Sequence, residues 1–153
     1  MDTLSKEKRS WVMSRIKSKD TKPEITVRKL LHKMGFRYRL QGKVAKGIFK
    51  KGVLPGKPDI VMRKYMTVIF VHGCFWHMHK NCTNWSLPKS NIEYWGKKLN
   101  KNVARFEKNK RKLENMGFDV VVIWECETKD MPMLLDLLKI RAKKLKIKGG
   151  DLK

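Results

Sequence analysis

Asp59-Ile-Val-Met-Arg-Lys-Tyr-Met-Thr-Val-Ile-Phe-Val-His72 contains two apolar runs, Asp59–Met62 and Thr67–Val71, joined by a short polar turn. Runs this short and this rich in β-branched residues read as strands, and the turn between them makes an antiparallel hairpin in the centre of a sheet. Asp59 opens the first strand and His72 closes the second. Antiparallel pairing therefore brings a carboxylate and an imidazole to one sheet edge, where a site can form. The approach Leu54-Pro-Gly-Lys-Pro58 holds two prolines that restrict the backbone leading to Asp59.

The residues after the hairpin are chemically unusual. His72, Cys74, His77, His79 and Cys82 place three of the four histidines and two of the three cysteines within eleven positions. Imidazoles and thiols at the end of an apolar strand are costly to bury without partners. Cys74, His79 and Cys82 form a mixed soft and imidazole set suited to Zn²⁺ rather than Mg²⁺, and Cys126 could supply a fourth ligand from across the fold. The bland alternative is three free thiols and a hydrogen-bonded histidine. That zinc set leaves His72 and His77 available for proton transfer beside Asp59.

Asp59 is the only acidic residue between Glu24 and Glu93, in a stretch crowded with lysine and arginine. A single carboxylate in a basic field can bind a divalent cation while the surrounding cations receive phosphates. Alternatively it caps a turn or pairs with a nearby lysine. The whole chain carries 37 basic and 14 acidic side chains in 153 residues, a formal charge of +23 that favours nucleic acid as partner. No apolar run approaches the ~20 residues of a membrane span, and the first residues carry no signal-peptide pattern. We expect one domain over residues 1–153, with a cytoplasmic location and reduced thiols.

Working outward, Ser5–Lys17 reads as a basic amphipathic helix, residues 1–20 forming a basic arm. Thr21 caps a helix through Met34, and Gly35 stops it. Phe36–Leu40 alternates as a strand. Gln41–Pro58, with four glycines and five lysines, reads as a long mobile loop or a hairpin. Ile92–Met116 has helical spacing, Asp119–Trp124 is a buried strand, and Pro132–Lys146 is a final amphipathic helix. Residues 141–153 are expected to be a solvated, frayed tail. The order α, β-β-β, α-β-α gives an α/β fold with a mixed central sheet flanked by helices. Phe75 and Trp76 are either core residues or an apolar wedge that unstacks bases, and Trp95 has the same two readings. Met13 and Ile16, on the arm, either pack on the core or enter a minor groove.

At these residues the chain resembles the very short patch repair (Vsr) endonucleases, which nick DNA at thymine–guanine mismatches left by deaminated 5-methylcytosine. The resemblance rests on Leu54-Pro-Gly-Lys-Pro-Asp-Ile-Val61, Val68-Ile-Phe-Val-His-Gly-Cys-Phe-Trp-His77, Trp95, Lys101-Asn-Val-Ala-Arg105 and Trp124-Glu-Cys126. It implies a restriction-endonuclease-like fold of the PD-(D/E)XK type, a structural zinc and Mg²⁺-dependent phosphodiester cleavage. It further implies that Asp59 and the Val71 carbonyl bind Mg²⁺ and that His77 activates water, with His72 and Glu24 in support. Cys74, His79, Cys82 and Cys126 then hold zinc. Phe75, Trp76 and Trp95 insert beside the mismatch, Met13 and Ile16 enter from the opposite groove, and Lys98 and Asn102 contact the mismatched bases. The implied partners are mismatched double-stranded DNA, a cytosine-5 methyltransferase and the mismatch-repair machinery, and we expect a monomer. Val71 replaces a threonine common in the family, one extra residue separates His79 from Cys82, and the Gly42–Gly52 insertion is long. A non-catalytic zinc-stabilised DNA-binding module and a restriction-like nuclease without mismatch selectivity remain as competing functions.

Overall fold

Glycine, proline and capping residues punctuate the chain into short elements, and the computed structural model describes residues 5–44 and 52–146. The elements are α1 (Lys6–Ser14), α2 (Lys22–Lys33), β1 (Arg39–Leu40), β2 (Ile60–Met62), β3 (Thr67–His72), α3 (Ile92–Asn115), β4 (Asp119–Trp124) and α4 (Met131–Arg141). The sheet order is β1-β2-β3-β4. β2 and β3 pair antiparallel with Ile60 opposite Ile69, which is the expected hairpin at the sheet centre. β3 and β4 are parallel, Thr67 opposite Asp119 through His72 opposite Trp124. Parallel neighbours need a crossover, and α3 supplies it.

The strands are apolar on both sides because helices cover both faces. Val61, Val68 and Phe70 pack with Leu113 and Phe118 on the α3 side. Ile60, Ile69, Val121 and Ile123 pack with Leu30 and Leu31 of α2 and Leu134 and Leu138 of α4 on the other. Each such leucine taken fully out of water stabilises the fold by about 1.5–3 kcal/mol. The result is a mixed α/β architecture with a four-stranded sheet between helices.

Three boundaries differ from expectation. The strand read over Phe36–Leu40 shrinks to Arg39–Leu40, because the preceding residues finish the helix. The Gly35 N–H reaches His32 O, the Phe36 N–H reaches Leu31 O at 3.0 Å, and Gly35 has φ +87°; this is a glycine-based helix stop that leaves Phe36 buried in the core. The last helix ends at Arg141 rather than Lys146. The tail is not frayed from its first residue, since Ala142 and Leu145 are buried and Arg141 is held in place by Glu127; residues 147–153 lie outside the described residues.

The described parts of Gln41–Pro58, residues 41–44 and 52–58, pair as the stem of a hairpin. The Gly42 N–H reaches Pro58 O at 2.7 Å and the Val44 N–H reaches Gly52 O at 3.0 Å, with Lys43 opposite Val53. At Gly42 a Cβ would lie 2.9 Å from the Lys57 backbone, so the two arms meet only over glycine. Positions 45–51 of the Gly42–Gly52 insertion lie outside the described residues.

Candidate active site

The hairpin does what its sequence requires: it sets Asp59 at the start of β2 against the end of β3. Asp59 Oδ2 accepts the Val71 N–H at 2.7 Å. No lysine or arginine pairs with Asp59 among the described residues. Burial pushes the Asp59 carboxyl up to about 7, opposed by the Val71 N–H and reinforced by the nearby negative charge of Glu24. An anion so poorly compensated is a fit for a divalent cation, and its oxygen donors suit Mg²⁺.

His72 closes β3 on the α3 side of the sheet and is only 4% exposed. Its ring stacks on His77 with centroids 3.6 Å apart and planes 5° from parallel. Phe106 lies edge-on to it at 4.4 Å. Burial, with the charge of His77, drives His72 down to about 3, and burial drives His77 down to about 4. Both rings are therefore neutral at pH 7, which leaves His77 able to accept a proton. His72 Nε2 is buried without a hydrogen-bond partner among the described residues. An orphaned ring nitrogen on a residue lining the same cavity as Asp59 is the kind of polar atom that a bound ion or water satisfies.

Glu24, also 4% exposed, is fixed by its helix start. Its Oε2 accepts the Asp20 N–H at 2.9 Å and Arg28 Nη2 at 3.0 Å. Glu24, Asp59, Val71, His72 and His77 all line one cavity of about 840 Å³. The four catalytic candidates and the proposed metal-binding main chain thus converge on a single space.

The cysteine-histidine set also converges. The ligand atoms of Cys74, His79, Cys82 and Cys126 lie within 4.8 Å of one another. His79 Nδ1 is 3.6 Å from Cys74 Sγ and 3.5 Å from Cys126 Sγ. Tetrahedral coordination with bonds of about 2.0–2.3 Å sets ligand atoms about 3.5–3.8 Å apart, so the set fits one metal ion. Burial and the neighbouring thiols push Cys126 up to about 12, a cost that a cation among the sulfurs reverses. The stacked Trp124 ring, 4.0 Å from His79 and 2° from parallel, holds the imidazole in place.

The aromatic candidates form a partly exposed cluster rather than a core. Phe75 lies 5.2 Å from Trp76 and 5.4 Å from Trp95. Lys98 Nζ stands 5.5 Å over the Trp76 ring and 5.4 Å over Trp95, a cation–π arrangement. Asn102 Nδ2 donates to Trp76 O at 3.4 Å. Met13 and Ile16 line a second cavity of about 530 Å³ together with Trp76, His77 and Lys98. The basic arm and the aromatic loop therefore face one another across an opening next to His77.

Sequence reasoning gave no role to Arg105, quoted only within a motif, or to Asn109, and both line the first cavity. Their signal was present: Lys98, Asn102, Arg105 and Asn109 recur at helical spacing on one face of α3. It also passed over Glu125, which lines the second cavity and accepts the Cys74 N–H at 3.4 Å. Its contact with Cys74 depends on packing across the sheet, and in the sequence it stood only as the middle residue of Trp124-Glu-Cys126.

A carboxylate and neutral imidazoles converging in a strongly basic chain suit the hydrolysis of phosphate esters. The model of the family described as DNA mismatch endonuclease Vsr matches residues 1–84. The "Type II nicking enzyme V.NmeAIP" of Neisseria meningitidis is 45% identical over 145 residues, 95% of this chain and 96% of the relative. The "Type II nicking enzyme V.XorIIP" of Xanthomonas oryzae pv. oryzae is 44% identical, covering 87% of this chain and 90% of the relative. The "DNA mismatch endonuclease Vsr" of Escherichia coli is 36% identical, covering 88% and 80%. The chain belongs to the Vsr family of endonucleases. Among the described residues no helix is long and apolar enough to cross a membrane.

Proposed function

We propose that the protein is a Mg²⁺-dependent, strand-specific DNA endonuclease that nicks on the 5′ side of the thymine in T:G mismatches left by deaminated 5-methylcytosine. The observation that carries this reading is the single cavity shared by Asp59, His72 and His77. The core is of the restriction-endonuclease-like PD-(D/E)XK type, and the cysteine-histidine set holds a structural zinc.

In this reading Asp59 and the Val71 main chain would hold Mg²⁺, which would supply Lewis-acid polarisation of the scissile phosphate. His77, kept neutral by burial, takes a proton from the attacking water. His72, stacked against it, fixes the plane of its ring. Glu24, held by Arg28, adds negative charge beside Asp59 and so favours a cation there. Phe75, Trp76 and Trp95 enter the base stack at the mismatch, Met13 and Ile16 reach in from the arm, and Lys98 and Asn102 contact the mispaired bases. The +23 charge supplies affinity for the backbone irrespective of sequence. Relatives named as nicking enzymes and as a mismatch endonuclease support cleavage of one strand at a mispair. We infer a monomer acting on DNA in the bacterial cytoplasm, linked in function to a cytosine-5 methyltransferase and to mismatch repair.

A labelled duplex panel carrying T:G, other mismatches and fully paired sites, incubated with Mg²⁺, tests this. The reading expects one nick, in the thymine strand, with T:G preferred. Equal cutting of paired duplexes favours a restriction-like nuclease, and binding without a nick favours a non-catalytic module.

A further inference from the structure

A second basic surface leads away from the candidate active site. Arg37, Arg39, Lys43, Arg63 and Lys64 line a cavity of about 300 Å³ at the β1 margin of the sheet. All five side chains are exposed, and none forms an ion pair with an acidic side chain among the described residues. The arrangement is fixed locally. β1 carries Arg39, the turn after β2 carries Arg63 and Lys64, and the hairpin stem carries Lys43. Lys43 also lines the cavity that holds Asp59 and His77, so the two spaces adjoin at that residue.

Five like charges gathered on one surface repel one another unless an anionic partner meets them. Their spread along a strand margin, rather than about one point, fits a chain of phosphates better than a single anion. We propose that this groove is a phosphate-backbone track, in which duplex DNA leaving the active-site cavity past Lys43 runs along the β1 margin. The inference rests on the DNA-cleaving reading of the neighbouring cavity and extends it: the track holds backbone on one side of the cleavage point, with no reading of bases. Contacts of this kind position a duplex without specifying sequence.

The test is the salt dependence of binding by the full-length Arg39→Gln/Arg63→Gln/Lys64→Gln protein. A Lys129→Gln/Lys143→Gln/Lys146→Gln control loses the same net charge from other surfaces. For mismatched and fully paired duplexes alike, the slope of log Kd against log salt should fall by about 0.9 for each phosphate contact removed by the first triple variant. The control should retain the wild-type slope, and Arg39→Lys/Arg63→Lys should keep it too. Duplexes shortened from one end at a time should weaken wild-type binding from one end only, and the first triple variant should be insensitive to that end. A slope unchanged from wild type, or changed equally by the control, overturns the track. Failure to nick, or equal cutting of paired duplexes, with the altered slope intact would instead overturn the cleavage reading alone.

Discussion

At the residue scale, Asp59 and His77 owe their chemistry to burial more than to charged partners. Asp59 is held near 7 in the fold against 3.8 in the unfolded chain. A raised carboxyl binds its proton more tightly when folded, so its contribution to stability is full below about 3.8 and is lost as pH rises through about 7. In Mg²⁺-free buffer, Asp59→Asn should therefore gain thermal stability relative to wild type as pH rises from 5 to 8, read as the difference between their melting temperatures. A constant difference across that range would show that Asp59 does not ionise in an apolar setting. His72 and His77 act in the opposite sense: their depressed values make stability full above about 6.5 and lost as pH falls toward 3–4. Trp76 stands partly exposed among Phe75, Trp95 and Lys98. Trp76→Ala should lower the preference for mismatched over paired duplexes by more than it lowers affinity for paired DNA, measured by competition binding. An unchanged preference would assign Trp76 to packing alone.

At the element scale, the hairpin was legible because both its strands end in residues that a strand interior does not tolerate. Asp59 and His72 mark those ends in the sequence, and the register Ile60 opposite Ile69 brings them together. The cysteine-histidine cluster was legible for a similar reason: soft and imidazole side chains crowded into one short run point to a common centre, and their ligand atoms do converge. Phe36 was misread because its apolar side chain suits a strand while its N–H is taken by the helix stop at Leu31 O. Arg141 was misread because a basic residue near the C-terminus looks solvated. Its bonds to Glu127 and Val122 O depend on α4 packing under β4. Those bonds brace the segment that presents Cys126. Elemental analysis should find one zinc per chain, and Cys126→Ser should lose it together with thermal stability. Folded, active protein without zinc would remove that role. Leu113, fully buried between α3 and the sheet, should cost about 2–5 kcal/mol when truncated to alanine, read from denaturant unfolding.

At the scale of the molecule, the sheet and its helices serve to bring distant segments to one end. Glu24 comes from α2, Asp59 and His72 from the hairpin, His77 from the loop after it, and Arg105 from α3. Lys19, Lys43, Lys57 and Arg105 stand among the residues lining that end, and in the proposed reading this charge draws in a polyanion on which the buried groups act. The most direct check of this account is single-turnover nicking of a T:G duplex at saturating protein with Mg²⁺, comparing wild type with Asp59→Asn and His77→Ala. The account predicts that His77→Ala loses at least about 10²-fold, the usual span for a general base, that Asp59→Asn leaves no measurable nick, and that both bind the duplex as wild type does. Wild-type nicking rates in either variant would contradict it.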